Sequence, residues 1–143
     1  MDTQAVAIPR ISPAELAQRM GRADAPLVLD VRRAPKFAES PYLLAGAQWC
    51  DPDKVAEFAA SHSPQEVVVY CVYGHNVSAD ATAALRAAGW TAWQLEGGME
   101  GGEDGVDALA DIAQWRAQRP LSLRKRPDLR VTGEALSRWV TRA

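Results

Sequence analysis

The chain has 143 residues, 48% hydrophobic and 24% charged, which is enough apolar mass for one domain with its own core and is not the composition of a disordered chain. A net charge of −2 lacks the basic excess of a nucleic-acid binder, and the apolar runs are only strand-sized, so no nucleic acid and no membrane is expected as a partner. The charge is nevertheless uneven: residues 1–115 carry 8 basic and 16 acidic groups, and residues 116–143 carry 8 basic and 2 acidic, so an acidic body is joined to a basic tail.

The opening "MDTQAVAIPR" has no basic segment followed by an apolar core, so export is not expected and the cytoplasm is the default location. "ISPAELAQRMG" then has Ser12 placed as N-cap, Pro13 at the first helical position, Glu15 three residues after the cap and Gly21 as stop, a capping box with a glycine end. "PLVLDV" (26–31) is almost wholly apolar, the pattern of a strand covered on both faces, with Asp30 at its carboxyl end. "AGAQW" (45–49) reads as a short strand, and "CDPDKVAEFAASH" as a helix capped by Asp51, with Val55, Phe58 and Ala59 on its inner side. "EVVVY" (66–70) is the most strongly β segment of the chain.

After Cys71 an alanine-rich helix is expected from Ser78 to Ala88, with Leu85 inward and Gly89 as its end, followed by a strand over 90–95. Five glycines within 97–105 mark a loop leading to a helix around 106–118. The tail from Arg119 holds Pro120, Pro127, a basic run, and Leu136, Trp139 and Val140 as one apolar edge. It reads either as a helix packed on the body or as a segment awaiting a partner, and the proline and charge pattern divides the chain into a domain, 1–118, and a basic linker with an amphipathic helix, 119–143. Alternating strands and helices predict the α/β class, an open parallel sheet with helices on both faces.

In such sheets ligands lie beyond the carboxyl ends of the strands, and Cys71 is at one of those ends. The thiolate is the reactive form of cysteine, so a nucleophilic Cys71 requires groups that favour its anion. The backbone amides from Val72 to Val77, with the first turn of the Ser78 helix, form a cradle of that kind, and Gly74 lets the backbone turn without a side chain intruding on it. Cys50, beside Trp49, reads as a space-filling thiol, and His62 as a solvated loop residue. A disulfide between Cys50 and Cys71 is not expected in a reducing compartment, and two histidines without CxxC or HxxxH spacing do not make a zinc site.

Five segments in order, "ISPAELAQRM", "PLVLDVRRAPKF", "LLAGAQW", "VVVYCVYGHNVS" and "LEGGMEG", resemble a single-domain rhodanese over roughly residues 8–116. The resemblance implies a rhodanese-like fold and a sulfurtransferase that moves sulfane sulfur from a donor such as thiosulfate to a thiol or cyanide acceptor, with no cofactor and no metal. It makes Cys71 the persulfide-forming nucleophile, assigns anion binding to the loop residues Val72, Tyr73, Gly74, His75, Asn76, Val77 and Ser78, and makes Asp30 and Arg32 supports of the site. Donor and acceptor are then small molecules or protein thiols.

The chain departs from the family pattern where arginine is common, at Asn76, and where the related phosphatase signature requires it, at Val77; the loop reads one residue long, and the tryptophan usual after the double glycine is absent near Gly101 and Gly102. Thiosulfate is therefore expected to bind without a fixed cationic clamp in the loop. A phosphatase or arsenate reductase needs the bidentate fork of arginine for its oxyanion and is disfavoured. The alternative from another class is a non-catalytic oxyanion- or redox-sensing or docking module, with Cys71 as the sensing thiol. "CVYGHNVS" and "SRWVTR" resemble in particular the rhodanese units beside chromate-resistance domains, which makes the tail a link to a second domain or the contact of a homodimer.

Overall fold

The computed structural model describes residues 8–20, 22–40, 42–44, 46–103, 105–118 and 123–125. In chain order the elements are β1 (Arg10–Ile11), α1 (Pro13–Arg19), β2 (Leu27–Asp30), α2 (Ala34–Glu39), β3 (Tyr42–Leu44), β4 (Gln48–Trp49), a 3-10 turn (Pro52–Lys54), α3 (Val55–Ser61), β5 (Glu66–Tyr70), α4 (Asn76–Ala87), β6 (Thr91–Leu95), α5 (Leu109–Gln118) and β7 (Leu123–Lys125). Five strands form one sheet in the order β1-β6-β5-β2-β4, every neighbouring pair parallel.

The apolar run of β5 sits at the centre because it must be covered on both faces. Val67 and Val69, followed by Cys71, face one way into a cluster with Phe58, Ala59, Ala81 and Leu85 of α3 and α4. Val68 and Tyr70 face the other way, into a cluster with Leu16 of α1 and Phe37 of α2. This is the alternation a pleated strand imposes, and it gives the α/β, rhodanese-like arrangement of helices on both faces. Cys71 and Cys50 share the α3/α4 face, both as free thiols.

The capping box is formed: Glu15 N–H donates to Ser12 Oγ at 3.1 Å, and Ser12 N–H to the Glu15 carboxylate at 2.9 Å. The expected stop at Gly21 lies outside the described residues. Asp51 caps the 3-10 turn, accepting from Asp53 N–H at 2.9 Å, before α3 begins. Helix α4 starts at Asn76, two residues before the expected Ser78, with His75 at its N-cap making no side-chain cap. The strand expected over 45–49 is confined to Gln48–Trp49 among the described residues, and α5 begins at Leu109, three residues after the expected Val106.

Four elements escape the sequence reading: β1, two residues in a parallel pairing with β6; α2, whose N-cap Arg33 makes no side-chain cap; and the strands β3 and β7. β3 pairs antiparallel with β7, Tyr42 opposite Lys125 and Leu44 opposite Leu123, so part of the segment expected to be a linker returns to the body. The amphipathic stretch with Leu136, Trp139 and Val140 lies outside the described residues. Among the described residues no helix is long and apolar enough to cross a membrane.

Candidate active site

Strands β2 and β5 run in register, Asp30 opposite Tyr70, so their carboxyl ends meet where the chain passes through Cys71 into its loop. Below this point lies a buried polar knot. The Arg32 guanidinium grips the Asp30 carboxylate through Nε at 3.0 and 3.1 Å and a terminal nitrogen at 2.7 Å, and the Tyr70 hydroxyl donates to the same carboxylate at 2.8 Å. Asp30 and Tyr70 are fully buried and Arg32 is 1% exposed. Burial is the largest single influence on the Arg32 cation and works against it, but the Asp30 charge and hydrogen bond together with Tyr70 and Glu100 outweigh it, so its pKa moves up. Burial, then the Asp30 charge, pushes the Tyr70 phenol well up, keeping it a donor. Asp30 and Arg32 thus fix the residue immediately before Cys71.

The Cys71 side chain is 5% exposed at the floor of a cleft of about 190 Å³, which Val72, Tyr73, His75, Asn76 and Val77 help to line. Its thiol lies 3.1 Å from Ser78 Oγ in the first turn of α4. The loop is held from behind by the double-glycine turn after β6: Met99 N–H donates to the Cys71 carbonyl at 2.9 Å and Glu100 N–H to that of Val72 at 2.8 Å. Gly74 is required on two counts: its φ of +80° is the left-handed turn expected of it, and a Cβ there would stand 2.7 Å from Gly97 N, so the approach of the second loop also forbids a side chain.

Two cations absent from the loop reach the cleft from the start of α2. Arg33 and Lys36 line it together with Arg32. Each also has an exposed ion-pair partner, Asp53 at 3.8 Å from Arg33 and Glu39 hydrogen-bonded to Lys36 at 3.4 Å. Lys36 carries no sequence signal of its own; only the turn of α2 brings it round. His75 leans out of the loop, its Nε2 2.8 Å from an Asp107 carboxylate oxygen and its Nδ1 3.5 Å from Glu103. The Glu103 N–H, then His75, holds the Asp107 carboxyl below its ordinary value. Asp107 and Glu103 were hidden in the glycine-rich loop.

Gln94 of β6 is the other partner the sequence did not single out. It stands opposite Val69 in a strand covered on both faces, and its Nε2 donates to the carbonyls of Gly74 and His75 at 2.9 and 3.0 Å and to Ser78 Oγ at 3.0 Å. A polar residue inside a largely apolar strand, three before the double glycine, was the available signal. Cys50 lies apart from the cleft lining, and burial, then Asp51 and Glu57, pushes its thiol up to about 11, as suits an inert thiol. His62 is not merely solvated: it stacks on Phe58 at 4.2 Å between centroids, with Nδ1 2.9 Å from the Phe58 carbonyl. Among the described residues no group of three or more His, Cys, Asp or Glu could hold a metal ion.

Fold and site together define an open parallel α/β domain with a buried thiol set at a strand end against a helix N-terminus. The chain belongs to the rhodanese-like domain family, whose model matches residues 12–104. Solved structures agree. It is 28% identical to a rhodanese homologue of the extremely thermophilic bacterium Thermus thermophilus, over 64% of this chain and 98% of that one, with a TM-score of 0.52. It is 25% identical to a full-length protein of Lactobacillus plantarum, over 81% and 87% of the two chains, with a TM-score of 0.62. A rhodanese-like domain protein of Staphylococcus aureus shares the fold at 24% identity, over 70% and 97%, with a TM-score of 0.58. The comparison with curated proteins finds no match. Membership of this family points in general to sulfurtransferase-type chemistry.

Proposed function

We propose that the protein is a thiosulfate sulfurtransferase of the rhodanese type, in which Cys71 carries sulfane sulfur as a persulfide between a donor such as thiosulfate and a thiol or cyanide acceptor. The observation that carries this reading is the position of the Cys71 thiol, at the floor of a cleft, against the first turn of α4 and beneath cations of α2. Amides of the loop from Val72 to Ser78 favour negative charge on the sulfur and on the terminal sulfur of the persulfide. Arg33 and Lys36 supply the positive field that Asn76 and Val77 do not, and they draw an anionic donor to the mouth. The chemistry needs no cofactor: the thiolate attacks the outer sulfur, sulfite leaves, and the acceptor removes the terminal sulfur in a second displacement.

The same thiol in a sensing module would be oxidised or would bind an oxyanion without turning over. Treating the protein with thiosulfate and recording its intact mass separates the two: a stable gain of one sulfur on Cys71, discharged by cyanide, is expected. A chain whose mass does not change refutes the reading. The relation to chromate-resistance proteins rests on "CVYGHNVS" and "SRWVTR" alone, and the second lies outside the described residues.

A further inference from the structure

Ser78 was expected to contribute through its backbone, yet its side chain has the more specific position. Ser78 is fully buried and Gln94 is 4% exposed, so neither has bulk water as an alternative partner. Ser78 Oγ is 3.1 Å from Cys71 Sγ, 3.0 Å from Gln94 Nε2 and 3.5 Å from the His75 carbonyl oxygen. The Gln94 amide sits one way round only: its nitrogen faces the carbonyls of Gly74 and His75, where its oxygen would meet two acceptors. With two N–H protons for three acceptors, Gln94 shares a donation between the Ser78 hydroxyl and a neighbouring carbonyl, and so engages one of the hydroxyl lone pairs.

A hydroxyl has one proton and two lone pairs. While Cys71 is a thiol, its S–H donates to Ser78 Oγ and the Ser78 proton turns to the His75 carbonyl. Once the thiol proton is lost, the sulfur can only accept. The Ser78 hydroxyl then turns by rotation about one bond and donates to Sγ, with Gln94 still donating behind it and polarising it.

We propose that Ser78 is the hydrogen-bond donor that stabilises the Cys71 thiolate, with Gln94 as its positioning residue, and that it acts on Cys71 chiefly as a leaving group. The thiolate part stands on the geometry alone; the leaving-group part rests on the sulfurtransferase reading. In loading, the thiolate electron pair forms the bond to the outer sulfur of thiosulfate, and the sulfur–sulfur bond of the donor breaks with its pair departing as sulfite. In discharge, the electron pair of an acceptor thiolate or cyanide forms a bond to the terminal sulfur, the Cys71 S–S bond breaks, and its pair returns to Sγ. Charge reappears on Sγ in the second half, where the Ser78 proton is already aimed. The inner sulfur of the persulfide carries no such charge, so the interaction strengthens along the discharge path.

The test uses the full chain with Cys50→Ser, so that alkylation by iodoacetamide reports Cys71. Ser78→Ala is expected to raise the midpoint of the alkylation-against-pH profile by about one unit, the value of one hydrogen bond to a charged group. Gln94→Leu raises it by less, and Ser78→Thr, which keeps the hydroxyl, restores it. In half-reactions followed by mass, Ser78→Ala slows loading about threefold, a tenfold loss of thiolate partly offset by its greater intrinsic nucleophilicity, and slows discharge by cyanide by more. A folded Ser78→Ala with an unshifted midpoint overturns the donor role. Equal slowing of both halves overturns the leaving-group role. If the unaltered chain accepts no sulfur, the sulfurtransferase reading fails while the midpoint still decides the donor; if Ser78→Ala does not fold, the midpoint of Gln94→Leu decides it.

Discussion

Replacing Gly98 by alanine tests whether the double-glycine turn is what holds the Cys71 loop in place. Gly98 has φ +57°, and a Cβ there would stand 2.5 Å from the Cys71 carbonyl oxygen, 2.7 Å from Gly74 N and 2.9 Å from the Val72 carbonyl carbon. All three are backbone atoms, so no side-chain rotation relieves the contact. To reach the 3.4 Å of ordinary contact the carbonyl must recede by 0.9 Å, which opens the 2.9 Å bond it accepts from Met99 N–H.

The left-handed conformation costs a non-glycine residue about 1–2 kcal/mol, and the weakened hydrogen bond about another 1 kcal/mol. At roughly 3–4 °C per kcal/mol for a domain of this size, the melting temperature should fall by about 6–12 °C. Gly46→Ala is the control, since Gly46 has φ +73° with nothing within 4 Å of its Cβ and bears the conformational cost alone. The reduced entropy of the unfolded chain is the same in both and cancels. Thermal melts of the two variants give the contact contribution by difference, and persulfide loading reports displacement of the loop, where misplacement of about 1 Å costs up to a hundredfold. Equal melting temperatures for the two variants, with loading unchanged in Gly98→Ala, would refute the close approach of the two loops.

Cys71→Ser should abolish persulfide formation whereas Cys50→Ser keeps most of it; sulfur transfer retained in the Cys71 variant removes the assignment. Lys36→Ala and Arg33→Ala should each raise the thiosulfate KM by about 1.5- to 5-fold with little change in kcat, the range of an exposed charge interaction, and the effect should fade in high salt. Asn76→Arg should lower KM by returning a cation to the loop. Because Asp107 has its folded pKa below the unfolded value of about 3.9, its contribution is complete above that pH and is lost as pH falls through the folded value. Urea midpoints at pH 5 and pH 3 should therefore differ more for the unaltered chain than for Asp107→Asn, and equal differences would show that the His75 and Glu103 contacts do not form. Truncation after Gln118 removes the β7 partner of β3 but none of the five-stranded sheet, so a fall of a few degrees with unchanged sulfur loading is expected; loss of folding would place the tail in the core.

The sequence alone determined what depends on neighbours in the chain. The capping box at Ser12 and Glu15, the two-faced strand before Asp30, the run of valines before Cys71 and the alanine helix after it are local patterns, legible because hydrogen bonding and burial periodicity act over a few residues. Even so α2 was missed, since Arg33 caps nothing with its side chain, and the start of α4 was displaced, since His75 at its N-cap gives no local signal. What the tertiary structure decided are contacts between distant residues that sheet register brings together. Asp107 lies 32 residues from His75 and Gln94 lies 16 from Ser78. Gly74 owes its identity to the approach of Gly97 as well as to its own turn, and Lys36 reaches the cleft only because α2 turns it toward Cys71. Such pairs leave no periodicity to read, because their geometry is set by how strands align and pack, and that alignment is a property of the whole fold.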